Sequence, residues 1–139
     1  MPTTEAARTW LAKADPDREH ARTWFANAGV ALLPVGRIWD AVRIDGQLAT
    51  RILQAGIDGP VIQDHGSYYY LVPLGTATTW TVAGTACLGD SCYIAVPTPS
   101  RISGQAVHWM QPPDGSGALV DPARLAELTD TYRAEVGPC

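Results

Sequence analysis

The chain has 139 residues, and 46% of them are hydrophobic, which is enough apolar material for one globular domain with its own core. Ten Lys and Arg side chains against 14 Asp and Glu give a net charge of -4. This charge excludes a protein that binds nucleic acid mainly by neutralising phosphates over its whole surface. No run of about 18 apolar residues and no signal-peptide core occur, so we expect a cytoplasmic protein without a membrane span.

Two similar segments, residues 7–14 and 21–28, each place apolar side chains at i, i+3, i+4 and i+7. This spacing predicts two amphipathic helices. Asp15 is expected to cap the second helix and Pro16 to be its first residue. The repeat is either a chance similarity of alanine-rich helices or a duplicated docking helix, in which Trp10 and Leu11 would bind a protein partner or a second copy in a homodimer. We therefore divide the chain into an N-terminal helical appendage, residues 1–15, and a single domain, residues 16–139.

The rest of the chain predicts a helix, then several strands, then a helix. Gly29 should end the second helix. The predicted strands span 30–35, 59–64, 67–72, 78–82, 86–88, 93–96 and 106–110, the predicted helices span 47–55 and 121–136, and residues 39–44 are extended or irregular. This order favours an α+β fold, with a mostly antiparallel β-sheet covered on one face by helices, including N-terminal and C-terminal ones.

A glycine turn, an aromatic and aliphatic strand and a proline-rich exit follow one another in Gly89-Asp90-Ser91-Cys92-Tyr93-Ile94-Ala95-Val96-Pro97-Thr98-Pro99-Ser100. A short strand with Trp109-Met110-Gln111-Pro112-Pro113 comes next. The arrangement resembles the end of the N-terminal domain of bifunctional DNA primase/polymerases, and the helix-to-strand entry at 29–35 resembles its start. The resemblance covers about residues 20–115 and implies a primase-polymerase-like fold. Only Lys13 among the ten cations is a lysine, a bias typical of GC-rich genomes, so we expect a short, actinobacterial-type member.

The resemblance also implies a site for nucleotidyl transfer. The family holds divalent metals with an Asp-x-Asp pair on one strand and a third acid just before the glycine turn, and a histidine on another strand contacts the triphosphate. Here the strand after Gly59 offers only Asp64, Ala86 stands where the third acid would lie, and Leu88 replaces a basic residue. One carboxylate cannot hold two metal ions. We therefore expect a catalytically degenerate domain that binds neither Mg²⁺ nor Mn²⁺.

Asp64 and His65 have two interpretations. Asp64-His65-Gly66 has the residue types of a hairpin turn. As a general acid/base pair the two side chains would meet only within such a turn, because neighbours on a strand point to opposite faces. Cys87 and Cys92 are either buried thiols or, with a histidine, zinc ligands, and we assign no metal site to them.

Aromatic side chains on neighbouring predicted strands indicate either a core or a surface that stacks a flat ligand. In the second case the ligand would be a nucleotide, a single-stranded nucleic acid or a small molecule. The candidate binding residues are Tyr68, Tyr70, Arg101, His108 and Trp109, with Arg101 and His108 at the rim as contacts for an anion.

Three functions follow from these features. The first is a non-catalytic primase-polymerase-like domain that binds a nucleotide, a nucleic acid or a partner as a regulatory module. The second is a small-molecule enzyme that reuses the former nucleotide cleft, which requires Asp64, His65, Arg101 and His108 in one concavity. The third is a protein-interaction or dimerisation module built on the repeated Trp helices.

Overall fold

The computed structural model describes residues 4–90, 92–104 and 106–136. In that part of the chain the helices are α1 (Thr4–Ala12), α2 (Arg18–Ala28), α3 (Gly46–Ala55) and α4 (Pro122–Val136). The strands are β1 (Val30–Pro34), β2 (Trp39–Asp45), β3 (Val61–Asp64), β4 (Ser67–Pro73), β5 (Ala86–Leu88), β6 (Tyr93–Pro97) and β7 (Val107–Gln111). All strand pairs are antiparallel, so the α+β class is confirmed.

The strands form a five-stranded sheet, ordered β5-β2-β4-β3-β7, and a two-stranded sheet of β1 and β6. Helices α3 and α4 cover one face of the larger sheet. Their apolar side chains pack there with those of alternate strand residues, among them Val42, Ile44, Leu48, Ala49, Ile52, Tyr70, Leu125 and Leu128. The opposite face packs against the small sheet and against α1 and α2, through Leu11, Phe25, Leu33, Trp39, Ile62, Leu71 and Trp109. The expectation of helices on one face only was incomplete, because the small sheet and the N-terminal helices cover part of the second face.

The N-terminal helices belong to the core. Leu11 of α1 is fully buried in the same cluster as Trp109 of β7, so α1 packs against the core of the domain. The cap of α2 is Asp17, not Asp15, and its side chain accepts hydrogen bonds from the first helical turn. Gly29 ends α2 as expected, in the left-handed conformation with φ of 72°.

Two segments differ from the sequence-based expectation. Residues 39–44, expected to be extended or irregular, belong to β2, which lies between β4 and β5. The predicted strand at 78–82 is absent from the described residues, and a 3₁₀ turn at Thr76–Thr78 precedes an irregular segment there. The reason lies in Asp40, which is 2% exposed and accepts the backbone N–H groups of Gly75 and Ala77, so the chain turns at this point.

Strands β6 and β7 follow each other along the chain but do not pair. β6 pairs with β1, and β7 pairs with β3 at the end of the larger sheet. None of the helices in the described ranges is long and apolar enough to cross a membrane.

Candidate functional site

Asp64 is the last residue of β3, and His65 follows it in the tight turn between β3 and β4. His65 has φ of 56°, a left-handed conformation that brings its ring back toward its neighbour. Its Nδ1 lies 2.6 Å from Oδ1 of Asp64. The turn is confirmed, and within it the two side chains also meet, as an acid/base pair would require.

Three of the predicted ligand residues are largely or fully buried. Tyr70 and Trp109 have no exposed surface, and each donates a hydrogen bond of 2.8 Å to a backbone carbonyl inside the protein. Burial raises the pKa of Tyr70. Tyr68 is 8% exposed and shares the α3 side of the sheet with Tyr70. Tyr70 and Trp109 are thus core residues that cannot stack a ligand in this structure.

Arg101 and His108 do not join His65 in one cleft. The Arg101 guanidinium donates a hydrogen bond of 3.3 Å to the carbonyl of Ala28, at the C-terminal end of α2. His108 lies on β7 opposite Gln63. The cleft between α3 and the turn from β3 to β4 is lined by His65 but not by Asp64, Arg101 or His108. The convergence on which the small-molecule enzyme hypothesis depends is therefore not seen in this cleft.

Cys87 and Cys92 pack against different cores. Cys87 contacts the cluster under α3 and α4, whereas Cys92 contacts the cluster on the other side of the large sheet. Burial raises the pKa of the Cys87 thiol to about 11, so it is protonated at neutral pH. The two cysteines do not share a site.

The part of the large sheet that the small sheet leaves uncovered carries a polar surface. The register places Ala86 of β5 opposite Arg43 of β2, and Arg43 opposite Tyr69 of β4. One residue pair further on, Asp45, Ser67 and Asp64 face one another across β2, β4 and β3. We call these six side chains the polar face. They share one side of the sheet because residues two apart on a strand, and residues directly paired on neighbouring strands, point to the same face.

An ion pair dominates the polar face. The Arg43 guanidinium lies 3.2 Å (Nε) from Oδ1 of Asp45 and 3.5 Å (Nη2) from its Oδ2. Ser67 donates a hydrogen bond of 2.8 Å to the same carboxylate. The hydrogen bond from Arg43 to Asp45, together with the negative charge of Asp45, raises the pKa of Arg43. The pKa of Tyr69 is also raised, mainly because the phenol is partly removed from water.

These residues do not fit a magnesium site. Mg²⁺ needs several oxygen ligands at about 2 Å in octahedral geometry. Asp45 already pairs with Arg43 of its own strand. Asp64 is on β3, two strands from β2, so the backbones of Asp45 and Asp64 are roughly 10 Å apart at the usual spacing of neighbouring strands. Across residues 4–90, 92–104 and 106–136, no three His, Cys, Asp or Glu side chains group together as metal ligands would.

Sequence reasoning missed Arg43 and Asp45 because it did not assign β2 as a strand. The signal was present in Trp39-Asp40-Ala41-Val42-Arg43-Ile44-Asp45, where Val42 and Ile44 alternate with residues of the other face. Arg43 and Asp45 stand two residues apart in this run, so they place opposite charges on one side of the strand. Ala86, the residue assigned to the missing third acid, lies directly opposite that arginine.

A cleft of about 590 Å³ adjoins the polar face, between α3 and the turn from β3 to β4. Its walls are mainly amides and hydroxyls with one arginine and one histidine: Gly46, Gln47, Thr50, Arg51, Gln54, Gln63, His65, Gly66 and Tyr68. We call it the α3 cleft. Arg51 is held in place because its guanidinium lies 4.3 Å above the ring of Tyr132 in α4. The cleft and the polar face meet where Gly46 follows Asp45 and Gly66 precedes Ser67.

The architecture is that of an α+β domain with an antiparallel central sheet, and a comparison with family models places it more narrowly. The model of the bifunctional DNA primase/polymerase N-terminal domain matches residues 1–130. The chain belongs to this family, which confirms the resemblance. The matched range includes α1, in agreement with its place in the core. Searches of curated proteins and of solved structures gave no match.

Proposed function

We propose that this primase-polymerase-like domain binds a nucleotide without transferring a nucleotidyl group, and so acts as a binding or regulatory module. The observation that carries the proposal is the ion pair of Arg43 with Asp45. It lies on an exposed face of the central sheet, and Arg43 is directly opposite Ala86, the residue that stands where the resemblance puts the third acid. A guanidinium supplies positive charge here, and it competes with a metal ion for the one carboxylate beside it.

The α3 cleft supports binding. Its volume, about 590 Å³, lies in the range of small-molecule sites and suits a ligand the size of a mononucleotide. The amides of Gln47 and Gln54 offer both donors and acceptors, the groups that recognise the edge of a base. Arg51 offers a planar cation for a phosphate group and is already oriented by Tyr132. Orientation before binding reduces the entropy that binding costs.

Isothermal titration calorimetry with nucleoside mono- and triphosphates, in EDTA and in Mg²⁺, tests the binding part. We expect binding in EDTA, and at least about tenfold weaker binding by Arg51→Gln, which corresponds to about 1.4 kcal/mol. Arg124→Gln is the matched control, because Arg124 is an exposed arginine of α4 that pairs with Glu127 outside the cleft. Equal affinity of both variants, or no binding by the wild type, contradicts the proposal.

Primer synthesis and nucleotide incorporation in Mg²⁺ and Mn²⁺ test the non-catalytic part. We expect no product above that of a heat-inactivated sample. Incorporation that Asp45→Ala or Asp64→Ala abolishes would show that the carboxylates of the polar face still support catalysis, and the non-catalytic assignment would be wrong.

A further inference from the structure

A chain of hydrogen bonds links a buried carboxylate to an exposed tryptophan on α2. Oδ2 of Asp15 lies 2.9 Å from Nδ1 of His20, and Nε1 of Trp24 lies 2.9 Å from Nε2 of the same ring. The Asp15 side chain is only 10% exposed, and its other oxygen accepts the backbone N–H of Asp17. Trp24, in contrast, is 48% exposed. Both ring nitrogens of His20 are therefore engaged, one by a rigid buried group and one by a surface indole.

The chemistry of the indole determines the protonation state of this arrangement. A tryptophan Nε1–H can only donate, so Nε2 of His20 must accept. The proton of the neutral imidazole then lies on Nδ1 and is donated to the Asp15 carboxylate. The contact with Trp24 thus requires His20 to be neutral and in the Nδ1–H tautomer.

Protonation of His20 affects the two contacts in opposite ways. A second proton on Nε2 would face the indole N–H, so the hydrogen bond to Trp24 is lost. The contact with Asp15 becomes a bond between a cation and a carboxylate, which is stronger than a neutral one. The ring accordingly stays with Asp15, and Trp24 is the partner that leaves.

We propose that His20 is a proton-sensitive latch, which holds the exposed Trp24 indole at neutral pH and releases it when the imidazole is protonated. The charged groups around the latch are the carboxylates of the preceding loop and the first turn of α2, and one arginine that contacts α1: Asp15, Asp17, Glu19 and Arg22. Arg22 contacts Glu5 and Thr9 of α1, which keeps its charge on the side of that helix.

Nitrogen-15 NMR of the full chain tests the latch directly. At pH 8 we expect the Nδ1–H tautomer for His20. On lowering the pH through the range where histidines titrate, the Trp24 indole resonance should shift together with His20. Its N–H exchange with water should rise by roughly fivefold relative to that of Trp80, as for the loss of one ordinary hydrogen bond. Trp80 is the internal control because its indole donates to the hydroxyl of Thr85, which does not titrate.

Two variants complete the experiment. Trp24→Phe removes one indole signal and so identifies it. Asp15→Asn keeps an acceptor beside Nδ1, so the hydrogen bond from the Trp24 indole to Nε2 should persist at pH 8. An Nε2–H tautomer of His20 in the wild type, or a Trp24 indole that does not respond while His20 titrates, would overturn the proposal.

Discussion

Arg43 and Asp45, two residues apart on β2, point to the same side of the sheet and form an ion pair with Nε 3.2 Å from Oδ1. Both are exposed, and Arg43 lies opposite Ala86 and Tyr69 on the neighbouring strands. This exposed face of the sheet thus has a cation, a methyl group and a phenol side by side on three neighbouring strands. The first prediction follows from this arrangement.

Replacing Arg43 and Ala86 with aspartate should create a divalent ion site. In Arg43→Asp/Ala86→Asp, the two new carboxylates face each other on adjacent strands about 4.8 Å apart, with Asp45 next to them. We expect Mn²⁺ binding, measured by electron paramagnetic resonance, to tighten at least about tenfold over the wild type. Arg43→Ala alone is the control, since it frees Asp45 without adding oxygen ligands. A folded double variant that binds no better than this control would show that the polar face does not correspond to the metal-binding face of the family.

The second prediction concerns the place of α1 in the domain. Leu11→Ala removes a fully buried side chain from the main core, so the free energy of unfolding in urea should fall by about 2 to 5 kcal/mol. Leu32→Ala is the matched control, because Leu32 of β1 is 62% exposed and its loss should cost less than about 0.5 kcal/mol. Equal stability of the two variants would instead support the prediction that residues 1–15 are an appendage outside the domain.

The third prediction concerns the two aspartates at opposite ends of β2. Asp40→Ala leaves two backbone N–H groups without their acceptor, at 3.0 and 2.9 Å in the wild type, and should cost about 1 to 3 kcal/mol. Asp45→Ala removes only an exposed ion pair, which water and salt screen. Urea unfolding should therefore show a larger loss for Asp40→Ala, and the reverse order would contradict the structural role of Asp40.

The fourth prediction concerns the reactivity of Cys87. Burial raises its pKa from 9.0 to about 11, so the thiolate fraction at pH 8 falls about a hundredfold relative to the unfolded chain. Alkylation of the peptide that contains Cys87, followed by mass spectrometry, should be slow in the native protein and fast in urea. Because the folded pKa is the higher one, the contribution of this thiol to stability is full below pH 9 and is lost as the pH rises to about 11. Equal alkylation rates in both states would show that the thiol is not shielded.

Local patterns were sufficient for most elements. The apolar spacing of residues 21–28, the left-handed glycine after them and the Asp64-His65-Gly66 turn all follow from preferences that extend over a few residues, and all three appear in the structure. The predicted strand at 78–82 failed because Asp40, distant in sequence, holds the 3₁₀ turn before that segment by its hydrogen bonds.

The candidate site was harder to predict than the fold. Tyr70 and Trp109 are aromatic residues of the kind that stack on flat ligands. Whether they are exposed, however, depends on which helices and strands cover each face of the sheet. Arg43 matters only because β2 and β5 pair in a particular register, and no local preference determines that register.

The amino-acid sequence by itself determined the α+β class, the family and the lack of an Asp-x-Asp pair in the strand-rich half, because each depends on residue types and their spacing along the chain. Only the tertiary structure decided that α1 is core, that Arg43 neutralises Asp45 opposite Ala86, and that Asp15, His20 and Trp24 form one chain of hydrogen bonds. Each of these relationships is a contact between residues that are brought together by burial or by the register of the strands. Such contacts exist only in the folded chain.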